Sequence, residues 1–218
     1  MSGPYAAFLA LEGSRCVVVG GGEVAERKTR TLLASGAAVV VVAPRVIEAL
    51  AGLAAEGAVT LKGRRYRPDD LDGARLAFAA THDPAVNAGV VADARARGVL
   101  VNSADQPESG DFIVPATMRR GDIVLAISTG GRSPSFARQL REELESWLTD
   151  ERAELLDVLA AVRCNLQATG QSPGPEAWRQ AVDAEVVRAI QSGDPEAARR
   201  RLVATLQAAL LSERAERS

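Results

Sequence analysis

Two kinds of apolar pattern divide the chain, and the change falls near residue 112. Before it, residues 16–19, 39–42, 76–80 and 99–101 form short, continuous apolar runs, 39–42 being valine throughout, and Val59-Thr60-Leu61 reads as a further short strand. Runs of that length and composition predict strands buried on both faces of a parallel sheet. Helical spacing fills the gaps. A helix is expected over 24–35, with Leu32 and Leu33 inward and Gly36 as its stop. Another is expected over 46–55, stopped near Gly57, and a third runs to Arg97 and Gly98 from Asp83-Pro84, an N-cap followed by proline at the first helical position. Strands alternating with helices predict an α/β fold with a doubly wound parallel sheet.

After residue 111 the rhythm changes. Residues 112–114 and 123–127 read as strands with Arg120-Gly121-Asp122 as the turn signal between them, which predicts an antiparallel hairpin. Ser133-Pro134 then opens a helix whose apolar positions Phe136, Leu140, Leu144, Trp147 and Leu148 recur at helical spacing. Beyond it the pattern is helical only, over 151–168, 175–192 and 195–211, with Asp194 as an N-cap. The expected domains are therefore 1–112, a Rossmann-like nucleotide-binding unit; 113–149, a small α+β segment of hairpin plus helix; and 150–218, a C-terminal helical domain.

Where the first strand ends, Val17-Val18-Val19 runs into Gly20-Gly21-Gly22-Glu23-Val24-Ala25. Read as G-x-G-x-x-A, this places small residues at Gly20, Gly22 and Ala25: one for a tight turn, one for backbone approach to a pyrophosphate, one for close helix–strand packing. The helix N-terminus that follows directs its amides at the phosphates. The acidic residue expected at the end of the second strand, where it would bind the adenosine ribose, is replaced by Val42-Ala43-Pro44-Arg45. Arg45 could accept a 2′-phosphate, lie against adenine or face solvent, so these residues leave NAD and NADP both open.

Composition narrows the function classes. The chain has 218 residues, 47% apolar and 25% charged, with 26 basic and 28 acidic side chains and a net charge of −2. That balance argues against nucleic acid as a partner. No apolar run approaches the ~20 residues that span a bilayer, and the N-terminus lacks a signal-peptide pattern. The two cysteines, Cys16 and Cys164, predict two reduced, mostly buried thiols and a cytoplasmic protein. With His82 as the lone histidine, no His/Cys cluster offers a resident metal site.

In open α/β sheets, ligands bind beyond the carboxyl ends of the strands. Besides the glycine turn, that edge carries Thr81-His82-Asp83 and Asn102-Ser103-Ala104-Asp105. Thr81 and Asn102 offer polar groups to a dinucleotide or a substrate. Hydride transfer to a nicotinamide leaves a proton to remove, and Asp105 is the best-placed base, ahead of Glu108 and Asp111. A second glycine-bearing strand-to-helix turn, Ser128-Thr129-Gly130-Gly131-Arg132-Ser133, could receive an anion on its amides. Arg119, Arg120, Arg132, Arg138 and Arg141 concentrate near it and would suit a polycarboxylate.

These stretches, in this order, resemble the precorrin-2 dehydrogenase family, also seen as the N-terminal part of siroheme synthase. The resemblance rests on Gly20 to Lys28, Ala79-Ala80-Thr81 through Asn87, Val101-Asn102 to Asp105, Asp111 to Ala116, Ala126 to Gly131, and Ser133-Pro134 running into Ala137-Arg138. It implies NAD-dependent oxidation of precorrin-2, an octacarboxylate tetrapyrrole, to sirohydrochlorin, with Asp105 as the catalytic carboxylate. It implies cofactor contacts at Gly20, Gly21, Gly22, Glu23, Val24, Pro44, Arg45 and Thr81. Substrate contacts are expected at Asn102, Ser128, Thr129, Gly130, Arg132 and Arg138. The family also implies a homodimer formed through the central segment. Two alternatives stay open: a bifunctional enzyme that additionally inserts Fe2+ or Co2+ into sirohydrochlorin, with the ion as transient substrate, and a non-catalytic NAD-sensing module.

Overall fold

A computed structural model describes residues 4–216. Five strands form one parallel sheet: β1 (Arg15–Val19), β2 (Ala38–Val42), β3 (Thr60–Lys62), β4 (Leu76–Ala79) and β5 (Leu100–Ser103). Their order is β3-β2-β1-β4-β5, so the winding reverses between β1 and β4. Alternate residues of the strands serve opposite faces. Cys16, Val18, Val39, Val41, Leu76 and Phe78 pack under α1 (Glu23–Leu33) and α2 (Glu48–Ala55). Val17, Val19, Val40, Val42, Ala77, Ala79 and Val101 pack against α3 (Pro84–Ala96) and the short 3-10 turn Pro68–Leu71. The continuous valine runs are thus explained by a sheet covered on both sides.

The helix signals read from sequence act as expected. Asp83 Oδ1 accepts from the amides of Ala85 at 2.9 Å and Val86 at 3.4 Å, capping α3. Gly36 and Gly98 end their helices at φ +73° and +66°.

Contacts divide the chain into two compact units: one reaching to Val114 and including Gly130–Arg132, the other comprising Pro115–Thr129 and the chain from Ser133 onward. The second unit holds an antiparallel pair, β6 (Ala116–Arg120) and β7 (Ile123–Ile127), joined by a tight turn in which Gly121 takes φ +55°. It continues through α4 (Pro134–Glu145), α5 (Asp150–Ala168), α6 (Pro175–Ala181), α7 (Ala184–Gln191) and α8 (Pro195–Glu216). Its core is built on Val162, Leu166, Val186, Ile190, Leu202 and Leu206.

Three expectations are corrected. Residues 112–114 are not a strand. The Asp111 amide donates to the Val101 carbonyl at 2.7 Å, and the Asp111 carboxylate accepts from the Val101 amide at 3.0 Å. Phe112 packs edge-on against Phe78, with ring centroids 5.5 Å apart, so this segment belongs to the first unit's core. Pro115, which has no amide to give a ladder, separates it from β6. The helix expected over 175–192 is two helices. Asp183 accepts from the Glu185 and Val186 amides, both at 2.9 Å, and so starts a new helix at that point. Arg201 grips the same carboxylate at 2.6 Å. Finally, only Cys16 is buried; Cys164 is exposed.

One buried charge pins the edge of the sheet. Asp70 is 1% exposed and accepts from Lys62 Nζ at 2.8 Å, Arg64 Nη2 at 2.6 Å and the Arg67 amide at 2.9 Å. Burial pushes its pKa up, but the hydrogen bonds from Arg64, Lys62 and the Arg67 amide outweigh it and hold the carboxyl well below the ordinary range. Removing the charge strands two cations that are each about one-third exposed, so Asp70→Asn should destabilise the fold by about 2–3 kcal/mol, less than for a wholly buried pair. Because the folded pKa is depressed, this contribution is full above the unfolded value of about 4 and is lost as pH falls through the folded one. Thermal melts of parent and variant should differ more at about pH 7 than at about pH 2.5. Equal differences at both would refute the assignment.

Candidate functional site

The carboxyl ends of β1, β2, β4 and β5 carry the predicted residues of the first unit. At the β1–α1 turn the Gly20 amide donates to the Val42 carbonyl at 3.0 Å, and the Gly21 carbonyl accepts from the Ile47 amide at 2.9 Å. The glycines are required by close approach. A Cβ on Gly20, at φ +142°, would run into the Ala80 carbonyl; one on Gly21 would run into the Arg45 carbonyl. The turn is therefore wedged between the β2 and β4 loops. Gly22 differs: its Cβ would meet only His82 Nε2, at 3.6 Å.

Gly22 is the N-cap of α1 and has no side chain to occupy the first amides. Those donors face outward at the point where the sheet order reverses, an arrangement suited to an anion. Glu23 is exposed and Val24 half-buried in the first turn of α1, while Pro44 and Arg45 are exposed on the neighbouring loop. The residues present thus fit a dinucleotide: a backbone cradle that a Cβ at Gly22 would fill, uncapped helix amides and an open ribose side. The cofactor-site prediction brings these residues and Thr81 to one edge.

On the β4 and β5 side, Thr81 and Asp105 are tied to the body of the unit by hydrogen bonds. The Thr81 amide and hydroxyl both donate to Asn87 Oδ1, at 3.1 and 2.8 Å. Asp105 lies on the exposed loop after β5, and its Oδ1 accepts from Ser103 Oγ at 2.7 Å. Donation from Ser103, then from the Asn87 amide, holds its carboxyl below the ordinary range. The group is therefore ionised at neutral pH. Asp105, Ser103, Asn87 and Arg95 line a cleft of about 200 Å³. Asn102 is buried instead, its Nδ2 donating to the Phe112 carbonyl at 2.9 Å. Its side chain holds the 111–112 segment. Asp111 is occupied likewise, by Arg95 at 3.3 Å and the Val101 amide.

Ser128, Thr129 and Arg138 belong to the second unit. Thr129 Oγ1 accepts from the Ser133 amide at 3.1 Å, and Ser133 Oγ caps α4 through the Phe136 amide at 3.3 Å. Gly130 and Gly131 take φ +62° and +80°. Of the predicted arginine group, Arg120 is paired with Asp150 and Arg141 with Glu142 and Glu145. Arg132 and Arg138 are exposed, with no carboxylate partner among the described residues. The helical unit also contains a cavity of about 640 Å³ lined by residues of α5 and α6, and no predicted site residue lines it. Among the described residues no cluster of His, Cys, Asp and Glu could hold a metal ion, and no helix is long and apolar enough to cross a membrane.

Sequence reading assigned no role to Ser103 or Asn87. A signal for Asn87 was present: it falls in the apolar stripe with Val90, Val91 and Ala94, and a polar residue in such a stripe needs a partner.

Fold and edge together define a nicotinamide-dinucleotide-binding α/β protein. The family model described as "Putative NAD(P)-binding" matches residues 7–116, and the one described as "Sirohaem biosynthesis protein central" matches 120–146. The chain is 42% identical over 196 residues to siroheme synthase of Chromobacterium violaceum, which aligns over 88% of this chain and 41% of that one. With siroheme synthase of Methylococcus capsulatus the identity is 38% over 211 residues, 95% of this chain and 44% of the relative. The solved structure of "SirC, precorrin-2 dehydrogenase" superposes with TM-score 0.74 at 27% identity, covering 91% of this chain and 98% of that one. The chain belongs to the family of the siroheme synthases and precorrin-2 dehydrogenase. It spans about two-fifths of the length of the siroheme synthases it matches.

Proposed function

We propose that this chain oxidises precorrin-2 to sirohydrochlorin, with NAD as the acceptor and Asp105 as the proton acceptor. The observation that carries the reading is the likeness to a precorrin-2 dehydrogenase over 91% of the chain, which takes in both units. NAD, when bound, supplies the hydride acceptor; the protein supplies position and charge. The glycine turn and the α1 amides hold the phosphates. Asp105, fixed by Ser103 and ionised at neutral pH, is ready to receive a proton. It is a weak base, so the transfer is favoured as the hydride departs and the macrocycle becomes acidic. Exposed Arg132 and Arg138 are suited to orient substrate carboxylates by charge-assisted hydrogen bonds.

The β6–β7 pair supports the homodimer. A two-stranded sheet is marginal alone, and here Ile123, Val124 and Leu125 are only half-buried while Phe136 and Trp147 of the same unit are 49% and 50% exposed. A second copy covering this face would bury them.

The test is spectroscopic. Purified protein with precorrin-2 and NAD should give NADH absorbance and sirohydrochlorin in equal amounts. NADP should serve at least tenfold less well, a difference of about 1.4 kcal/mol. Turnover with neither cofactor would overturn the reading, and preference for NADP that vanishes in Arg45→Ala would reverse the cofactor assignment alone.

A further inference from the structure

Helix α5 carries two rows of side chains that face other protein or a cavity. One row, through Val158, Val162 and Leu166, is buried in the helical core. The other, Leu156, Ala160, Arg163 and Gln167, advances by four, three and four residues, the steps that keep to one helix face. Leu156 is half-buried and the other three are exposed. This second row lines the cavity of about 640 Å³. The rest of the lining comes from the following loop and α6. Gly170, at φ +71°, turns the chain after α5, and the Gln171 amide ties the loop back to the Leu166 carbonyl at 2.9 Å. Pro173 and Pro175 restrict the backbone of that loop. Trp178 is half-buried against the helical core and also lines the cavity.

The volume lies within the ~300–1,000 Å³ of small-molecule sites, which are mostly apolar with a few polar groups that fix orientation. Arg163 is the single charged residue in the lining. No described carboxylate pairs with it, and Glu176, at the start of α6, is already held by Arg179 at 2.9 Å. One cation is a poor match for the eight carboxylates of precorrin-2. One guanidinium beside an indole and two prolines matches a flat apolar body that carries a single negative charge. We propose that this cavity binds a small aromatic monocarboxylate, a ligand other than precorrin-2, with its carboxylate on Arg163 and its ring against Trp178. The proposal does not rest on the reaction given above.

The test uses the full chain and two fluorescent probes of the same shape: the monoanion anilinonaphthalene sulfonate and its neutral analogue N-phenylnaphthylamine. The anion should bind once per chain and be displaced by naphthoate. Arg163→Gln should weaken the anion about tenfold or more and leave the neutral probe within about twofold, since only a charge-assisted hydrogen bond is lost. Ala160→Phe, a filling change at an exposed position, should weaken both probes. Circular dichroism confirms that both variants keep the parent's helix content. Anion binding unchanged in both variants would place the probe elsewhere and overturn the site. Equal losses of the two probes in Arg163→Gln would overturn the choice of an anion. Displacement of the probe by sirohydrochlorin would make the cavity part of the tetrapyrrole site, and a fall in particle mass on saturation, read by sedimentation, would make it a contact between copies. Either result overturns the proposal.

Discussion

Asp105→Ala is expected to lower kcat for NAD-dependent precorrin-2 oxidation by about 10²- to 10⁴-fold, the usual contribution of a positioned base, while NAD affinity stays within about twofold. The separation follows from geometry. Asp105 sits on an exposed loop after β5, and its side-chain hydrogen-bond partner is the Ser103 hydroxyl, not a group of the glycine turn. Removing its carboxylate leaves the β1–α1 backbone cradle with its packing against Ala80 and Arg45. Isothermal titration with NAD, set beside the absorbance assay, reads both quantities. Turnover within about threefold of the parent would remove Asp105 from the mechanism. Loss of NAD binding in step with turnover would make it a cofactor-loop residue.

That expectation depends on the feature of the fold most legible in sequence. The valine runs announced a sheet covered on both faces, because no other environment accepts apolar side chains in both directions from one strand. Gly20 to Gly22 announced the cofactor edge, and Asp83-Pro84 announced the start of α3, because these are local signals with local causes. What was hidden is long-range. Residues 112–114 have the composition of a strand, and only the return of Asp111 onto Val101 and of Phe112 onto Phe78 assigns them to the first unit's core. The hold of Asn102 on the Phe112 carbonyl was hidden for the same reason, since that carbonyl belongs to the returning segment. The break at Asp183 was hidden by the helical pattern read across 175–192, and only the Glu185 and Val186 amides donating to its carboxylate reveal it. Asn87 was visible as a polar residue in an apolar stripe, but not that its amide turns back onto the Thr81 amide, hydroxyl and carbonyl.

The three glycines should separate stability from cofactor binding. Gly20 takes φ +142° and its absent Cβ faces the Ala80 carbonyl, with the carbonyl carbon 2.7 Å away, so neither backbone can yield without moving β1 from β4. Strain and overpacking together place Gly20→Ala at about 2–4 kcal/mol of destabilisation. Gly21→Ala should behave similarly, since its Cβ would strike the Arg45 carbonyl and lie 3.1 Å from Ala43 Cβ. Gly22 has extended dihedrals, φ −97° and ψ −172°, open to any residue, and its Cβ would rest 3.6 Å from the His82 ring. Gly22→Ala should therefore melt within about 2 °C of the parent, a change under about 1 kcal/mol for a chain of this size. The same methyl, however, fills the space through which backbone approaches a pyrophosphate, so NAD affinity should fall about tenfold or more. Melting curves and NAD titrations on the three variants check both halves. Gly22→Ala melting as early as Gly20→Ala would show that the turn is packed throughout, and undiminished NAD affinity in Gly22→Ala would place the phosphates elsewhere on the sheet edge.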